Sequence, residues 1–310
     1  MSAALRMPGK SYHGPFSALT EEERKVRDAL QRDVAELAGG IGERNLGCYE
    51  AYMQAADWIE TRLSAAGLEP ERQEFRVAGQ PCFNLDAEIR GAERPEEIVV
   101  VGAHYDSVPG SPGANDNGTG VAAMLALAEA FAGRRLDRTL RLAAFANEEP
   151  PYFQTADMGS AVYADRCRER KEKIVAMLSL ETIGCYHEAK GSQEYPFPFS
   201  LFYPSTGDFL AFVANLSSRP LLRRVVGAFR DTVAFPSEGG AFPEFIPGIA
   251  WSDQWAFWRA GYPAVMVTDT APFRYDAYHT PYDTPDRIQY DRLARVALGL
   301  KGVVEALVSG

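Results

Sequence analysis

Acidic and imidazole side chains follow two apolar runs that are typical of buried strands. His104 and Asp106 come after the run Ile98–Val101, and the pair Glu148–Glu149 comes after the run Leu140–Ala146. In open α/β sheets, ligands bind at the carboxyl ends of the strands. Imidazole and carboxylate groups bind zinc or a similar divalent ion, and a carboxylate left free can act as a base. The pattern therefore indicates metal-assisted hydrolysis.

Three further groups fall at corresponding positions. Asp116 lies twelve residues after His104 in a turn rich in Gly and Asn, and His279 lies in a loop after a predicted strand. Glu181 ends the apolar run AMLSLE, where an unpaired carboxylate would be costly. Taken alone, the other site residues have simpler explanations, such as a helix cap at Asp116, whereas Glu181 is harder to explain in this way. Their shared place at one edge of the predicted sheet favours a common site.

The composition narrows the possible partners. The chain has 310 residues, 46% of them hydrophobic and 24% charged, which is ordinary for a globular protein with a sizeable core. The net charge of −10 argues against nucleic acid or an anionic membrane as the main partner. The composition excludes neither a peptide nor a small amide as substrate, and the oligomeric state stays open.

The cysteines and the N-terminal segment bear on the compartment. The four cysteines form no CxxC pair, so we expect buried free thiols in a reducing compartment. The N-terminus has no continuous apolar segment of the kind found in secretory signals, and no apolar run reaches the length of a membrane span. We therefore expect a cytoplasmic protein.

The hydrophobic pattern predicts the fold class. Two amphipathic helices precede two alternating segments, Gln73–Val77 and Phe83–Ile89, which we expect to pair as antiparallel strands near a sheet edge. From residue 97 to residue 181, continuous apolar strands alternate with helices, and the alternation resumes from Asp253 to a last helix at Tyr290–Val308. This order predicts an α/β fold with a mixed, largely parallel central sheet and helices on both faces.

Residues 186–250 interrupt this alternation. They are rich in Pro, Gly and aromatic residues, with a predicted helix at Gly207–Leu216 and either a strand or a helix at Leu221–Val233. We expect one domain over residues 1–310, with 186–250 as an insertion that packs over the mouth of the sheet and covers the active-site cleft.

A set of motifs in order resembles the M28 family of zinc peptidases. The motifs are AHYDSV, GANDNGTG, ANEEPP, SLETIG, WSDQWAFW and TDTAPFRYDAYHTPYDT, and they span about Ile98–Asp283. Members of this family include bacterial aminopeptidases and, more distantly, glutamate carboxypeptidases and glutaminyl cyclases. The resemblance implies the zinc-exopeptidase fold and two zinc ions per chain.

The resemblance also implies a role for each site residue. Glu148 would be the general base, Asp106 would hold the second ring nitrogen of His104, and the peptide between Asp116 and Asn117 would be cis. Glu149 and His279 would bind one metal, His104 and Glu181 the other, and Asp116 both. The implied metal ligands are thus His104, Asp116, Glu149, Glu181 and His279.

Two positions depart from the family pattern. Glu181 stands where the family often has Asp, and Ser252–Asp253–Gln254 stands where it has Ser-Asp-His. At Gln254 we expect altered support or specificity and not loss of metal.

We therefore expect a co-catalytic metallopeptidase that removes N-terminal residues from peptides. The alternatives are a glutaminyl-cyclase-like acyltransferase, a catalytically inactive binding protein of the same fold, and a carboxypeptidase or other amidohydrolase. A tyrosine of the 186–250 segment is a candidate for stabilising the oxyanion, and the sequence does not indicate which one.

Overall fold

The computed structural model describes residues 7–309, so residues 1–6 and residue 310 lie outside the described part. An eight-stranded sheet has the order β1-β2-β4-β3-β5-β8-β6-β7. Its strands are β1 (Pro70–Val77), β2 (Gln80–Ile89), β3 (Arg94–His104), β4 (Arg138–Phe145), β5 (Lys173–Glu181), β6 (Leu210–Ala214), β7 (Ser237–Ala241) and β8 (Ala264–Thr268). The helices are α1 (Glu21–Val34), α2 (Tyr49–Ala65), α3 (Gly120–Phe131), α4 (Gly159–Glu169), α5 (Arg219–Thr232), α6 (Gln254–Arg259) and α7 (Tyr290–Val308).

The centre of the sheet is parallel. Strand β3 lies between β4 and β5 and is parallel to both, and β8 runs parallel to β5. At one edge, β1 and β2 pair antiparallel, as the alternating sequence predicts. At the other edge, β6 is antiparallel to β8 and parallel to β7. The carboxyl ends of β3, β4, β5 and β8 therefore meet at one side of the sheet.

Both faces of the sheet are covered by helices, which confirms the predicted fold class. Val99 and Val101 pack in the layer that contains α1, α2, α3, α5 and α7, whereas Ile98 and Val100 pack against α4 and α6. Successive side chains of a strand point to opposite faces. A strand segment buried on both faces is therefore continuously apolar, as residues 98–103 of β3 are here.

The segment 186–250 differs from part of its prediction. The predicted helix at Gly207–Leu216 is wrong, because this stretch forms strand β6, which pairs with β8. Leu221–Val233 is helical and lies largely within α5. Strand β7 follows, so two strands of this segment belong to the central sheet.

Local signals account for the N-terminal helix. The Thr20 side chain accepts a hydrogen bond from the backbone N–H of Glu23, and the Glu23 side chain accepts one from the backbone N–H of Thr20. The chain then continues in a π-helical turn, Ala35–Ile41, and leaves it at Gly42 with a φ of 82°. All four cysteines are free thiols. Among the helices of residues 7–309, none combines the length and apolarity that crossing a membrane requires.

Candidate metal centre

The topology gathers the predicted site residues at one edge of the sheet. His104 is the last residue of β3, and Glu181 is the last residue of β5. The pair Glu148–Glu149 follows β4 closely. Asp116 and His279 lie in the loops that follow β3 and β8. Segments far apart in the sequence therefore contribute to one cluster because their strands are neighbours.

The cluster consists of two trios that share Asp116. In one trio, His104 Nε2 lies 3.2 Å from Asp116 Oδ1 and 3.2 Å from Glu181 Oε2. In the other, His279 Nε2 lies 3.1 Å from Asp116 Oδ2 and 3.3 Å from Glu149 Oε2. Ligand atoms about 2 Å from a tetrahedral zinc ion are about 3.3 Å apart. Each trio could therefore hold a metal ion.

The hydrogen bonding of these atoms also fits a metal. Nε2 of His104 and Oδ1 of Asp116 are buried and find no hydrogen-bond partner within residues 7–309. A buried polar atom without a partner costs about 1–3 kcal/mol. Imidazole nitrogen and carboxylate oxygen are zinc ligands, and a bound ion would satisfy both unpaired atoms.

Asp106 connects the ends of β3 and β4. Its carboxylate oxygen Oδ1 lies 3.4 Å from His104 Nδ1, and its backbone carbonyl oxygen lies 3.2 Å from the same nitrogen. The two carboxylate oxygens also accept hydrogen bonds from the backbone N–H groups of Glu148 and Glu149, at 3.0 and 3.1 Å. Asp106 therefore orients the His104 ring and holds the Glu148–Glu149 backbone at the same time.

The turn at Asp116 is fixed from two sides. The Asp283 carboxylate accepts hydrogen bonds from the backbone N–H groups of Asn115, at 2.8 Å, and Asp116, at 3.0 Å. The Asn117 side chain donates to the carbonyl oxygen of Leu180, at 2.8 Å, and so ties the turn to β5. The peptide between Asp116 and Asn117 is cis, as the family resemblance implies. Asp283 has no role in the sequence-based prediction, although it stands in the motif that contains His279.

Within the Ser252–Asp253–Gln254 triplet, only Ser252 forms a hydrogen bond with a trio residue in the described chain. The Ser252 hydroxyl donates a hydrogen bond of 2.6 Å to Oε2 of Glu181. The Gln254 side chain donates to the carbonyl oxygen of Ile249 instead, at 3.1 Å. Asp253 is buried, and its carboxylate has no hydrogen-bond partner in the described chain, so burial raises its pKa to about 7. No sequence signal indicates that Ser252 holds Glu181.

Arg44 is a buried cation that sequence reasoning missed. Its side chain is fully buried and donates to the carbonyl oxygens of Tyr105, Pro112 and Gly113, at 2.5, 2.6 and 2.8 Å. Burial lowers its pKa to about 10, against the attraction of Asp106 and other nearby carboxylates. At neutral pH the guanidinium therefore stays charged and offsets part of the negative charge beside the trios.

Most ionisable groups in and beside the trios have raised pKa values. Asp116 is the exception: burial raises its pKa, but its contacts with His104 and His279 outweigh this effect and hold the pKa below its usual range. Burial raises the pKa of Glu149 to about 7, and it raises that of Glu148 well above its ordinary value. Burial lowers the pKa of His279, but hydrogen bonds to Asp116 and Glu149 outweigh this effect and bring it to about 10. Burial also lowers the pKa of His104, but the negative charges of Glu181 and Glu148 outweigh this effect and raise the pKa well above its ordinary value. A metal cation bound between these carboxylates would offset the repulsion between their negative charges.

An apolar pocket opens beside the trios. It has about 810 Å³ of space continuous with solvent, and Glu181 and Tyr278 form part of its wall. The Tyr278 ring stacks on the His279 ring, with the centroids 3.8 Å apart. Burial and then the charge of Asp116 raise the pKa of Tyr278, so its phenol keeps its proton. This tyrosine lies outside the 186–250 segment, where the sequence suggested an oxyanion-stabilising tyrosine. Other walls of the pocket are formed by Tyr195, Phe199, Tyr203, Phe242, Trp251 and Phe273.

Two known proteins have sequences similar to that of this chain. The protein YfbL of Escherichia coli K12, described as uncharacterized, is 36% identical over 282 residues, which are 88% of this chain and 86% of that protein. Aminopeptidase YwaD of Bacillus subtilis is 30% identical over 219 residues, 66% of this chain and 41% of the longer relative.

Two solved structures show the same fold. The zinc aminopeptidase BSAP from Bacillus subtilis has a TM-score of 0.73 at 17% identity, with 91% of this chain and 95% of that chain covered. A glutaminyl cyclase from Fimbriiglobus ruber has a TM-score of 0.67 at 20% identity, with 97% and 99% covered.

The sequence model of Peptidase family M28 matches residues 84–304, which is most of the chain and includes both trios. A match of this extent, at a site whose donor atoms suit zinc, makes this chain a member of peptidase family M28 and a zinc-dependent hydrolase.

Proposed function

We propose that the protein is an aminopeptidase that works with two zinc ions. The observation that carries this proposal is the pair of trios joined by Asp116, with donor atoms at separations that suit tetrahedral zinc. One ion would be held by His104 and Glu181 and the other by Glu149 and His279. Two zinc ions in such a site would polarise the scissile carbonyl group and lower the pKa of a water molecule.

Glu148 is the proposed general base. Its Oε2 atom lies 3.9 Å from His104 Nε2, so it stands beside one trio without belonging to either. Burial raises its pKa well above the ordinary value of 4.5, which makes the carboxylate a stronger base. In this proposal it takes a proton from the attacking water and passes it to the departing amine. The protonated Tyr278 phenol, on the pocket side of His279, would donate to the developing oxyanion.

The pocket supports action at a free N-terminus. Residues of 193–213 and 238–251 form much of its wall, so the 186–250 segment would close one end of the cleft. In this proposal the apolar pocket takes the first side chain of the substrate, and the surrounding carboxylates hold the terminal ammonium. The segment would then be an insertion within a single peptidase domain, as the sequence predicts.

Free and N-acetylated forms of one peptide test this proposal. The zinc-loaded protein should hydrolyse the free form, while loss of the ammonium should reduce kcat/KM by at least about 30-fold, since removing one partner of a buried charge pair costs about 2–5 kcal/mol. Equal rates for the two forms would contradict an aminopeptidase.

A glutaminyl-cyclase-like acyltransferase is the second candidate. The fold likeness to the Fimbriiglobus ruber glutaminyl cyclase extends over nearly the whole of both chains. Cyclisation of this kind uses one metal, so the complete second trio favours the peptidase. Incubation with a peptide that begins with glutamine separates the two: release of free glutamine supports the peptidase, and loss of ammonia with a cyclised N-terminus supports the acyltransferase.

A further inference from the structure

We propose that the apolar pocket selects an N-terminal residue with a long side chain and a cationic tip, arginine above all, and that Glu238 binds this tip. This inference rests on the proposed aminopeptidase function, because it places the first side chain of the substrate in the pocket.

The sheet register puts Glu238 at a defined distance from the trios. Glu181 pairs with Thr268, Thr268 pairs with Ala211, and Ala211 pairs with Glu238. These residues form one row across four neighbouring strands, and all four line the pocket. Neighbouring strands are about 4.8 Å apart, so the row is about 14 Å long. The floor of the pocket therefore begins at a trio residue and ends at a second carboxylate.

Strand alternation directs the Glu238 side chain toward the pocket. Residues two apart on a strand share a face, so Glu238 and Gly240 point the same way. A Cβ atom at Gly240 would collide with Phe242 and with the hydroxyl of Tyr203, both of which line the pocket. A Cβ atom at Gly239 would instead meet Val226, on the side of α5. Glu238 therefore faces the cavity and not the helical layer.

The charges of Arg230 and His13 attract the Glu238 carboxylate, but neither side chain forms an ion pair with it. It is half-buried, and no ion pair or side-chain hydrogen bond to it occurs within residues 7–309. The hydroxyl groups of Tyr203 and Tyr195, which lie in the same wall, donate to backbone carbonyl oxygens at 3.0 and 2.7 Å. Arg230 donates to Ser237, at 3.0 Å to the hydroxyl and 2.6 Å to the carbonyl oxygen. An unpaired, partly buried carboxylate is costly, and a cationic ligand would remove that cost.

The space between the trios and Glu238 fits an extended side chain. An arginine side chain places its guanidinium about 7 Å from its Cα atom. With the substrate Cα atom over Thr268, next to Glu181, the remaining distance to Glu238 is about 10 Å, which the side chain and one hydrogen bond cover. A leucine side chain is too short for this. The stem would lie along Ala211 and Met266, and aromatic rings such as those of Phe199 and Tyr195 favour stacking with a planar guanidinium. A bidentate carboxylate–guanidinium pair would then fix the tip.

Arginyl, citrullyl and leucyl anilides test this inference with the zinc-loaded protein. Citrulline has the shape of arginine without its charge. The wild-type protein should prefer the arginyl over the citrullyl substrate by at least about 10-fold in kcat/KM, since a hydrogen bond to a charged group contributes about 1.5–3 kcal/mol. Glu238→Gln should abolish this preference and leave the leucyl and citrullyl rates close to wild type. Glu194→Gln is the matched control, because Glu194 is exposed and lies outside the pocket lining.

Failure of this inference can be told apart from failure of the proposed function. Rapid hydrolysis of the leucyl substrate without any preference for arginyl over citrullyl overturns the role of Glu238 and leaves the aminopeptidase standing. If no anilide is hydrolysed, the aminopeptidase proposal fails, and calorimetry with free arginine and free citrulline decides the inference. The inference is supported if the wild type binds arginine more tightly than citrulline and Glu238→Gln removes this difference. It is overturned if the wild type binds the two amino acids equally.

Discussion

The Asp106 carboxylate accepts a hydrogen bond of 3.0 Å from the backbone N–H of Glu148. Asp106, which follows β3, thus holds the backbone of Glu148, the proposed base, which follows β4. Because the same carboxylate also faces the His104 ring, the proposed base and one proposed metal ligand share a single support.

Asp106→Asn should weaken zinc binding and lower stability together. Asparagine keeps only one carbonyl oxygen, so one of the backbone N–H groups of Glu148 and Glu149 loses its acceptor, at a cost of about 1–3 kcal/mol. Loss of such a support behind a metal ligand typically reduces metal affinity about 10–100-fold. Zinc competition with a chelator and thermal unfolding measure the two effects. Asp157→Asn at an exposed position is the control, and unchanged zinc affinity in Asp106→Asn would refute the role of Asp106.

Glu148→Gln should retain zinc and the fold but lose activity. Glutamine is nearly isosteric but cannot accept the proton, and a positioned base contributes about 10²–10⁴ in rate. The neighbouring variant Glu149→Gln should lose zinc as well, because Glu149 belongs to a trio. Zinc content and kcat measured on both variants separate these roles. A Glu148→Gln protein with near wild-type kcat would show that another group is the base.

Ser252→Ala should weaken one zinc ion selectively. Its hydroxyl donates to Glu181 at 2.6 Å, and without this bond the carboxylate is free to turn away from the trio. We expect about a 10-fold loss of affinity for the ion next to His104. Ser179→Ala is the matched control, because the Ser179 hydroxyl lies 3.0 Å from that of Ser252 and makes no direct bond to Glu181. Indistinguishable zinc titrations of the two variants would contradict this assignment.

The metal-free protein should become less stable as the pH rises from about 5 to about 9. The pKa values of Glu149 and Asp253 are raised to about 7, from ordinary values of 4.5 and 3.8, and that of His279 is raised to about 10 from 6.5. For each group the folded state binds its proton more tightly than the unfolded state, so stability falls as the pH rises between the ordinary and the raised value.

Zinc should reverse this trend, since it replaces the protons and binds the deprotonated ligands. The stabilisation by zinc should therefore grow with pH over the same range. The Tm of the chelator-treated protein at pH 5, 7 and 9, with and without added zinc, checks both statements. A metal-free Tm that increases from pH 5 to pH 9 would contradict the raised pKa values.

Strong local patterns made much of the fold predictable. The predicted bounds of helix α7, Tyr290–Val308, agree with the structure. Strand β6 was wrongly predicted as a helix because a short apolar run fits either structure, and its pairing with β8 decided the outcome. Strand β7, Ser237–Ala241, has the sequence SEGGA with neither alternation nor β-branched residues. Its strand conformation depends on the neighbouring β6, which no local pattern reveals.

The sequence predicts the site residues that lie at or just after strand ends, but not the residues that support them from elsewhere in the chain. The sequence places His104 and Glu181 at the ends of apolar runs, and these residues lie together because β3 and β5 are neighbours. The contact of Ser252 with Glu181 joins residues 71 positions apart, and the bonds of Arg44 to Tyr105, Pro112 and Gly113 span 61, 68 and 69 positions. Contacts of this kind follow from tertiary packing and leave no periodic signal in the sequence.

The number of zinc ions per chain tests the central proposal most directly. Native mass spectrometry of the metal-depleted protein after titration with zinc counts the ions bound. The proposal predicts two ions in the wild type, one in His104→Ala, one in His279→Ala, and a loss of both in Asp116→Ala. A fully active wild-type protein that saturates with a single ion would contradict the two-zinc site.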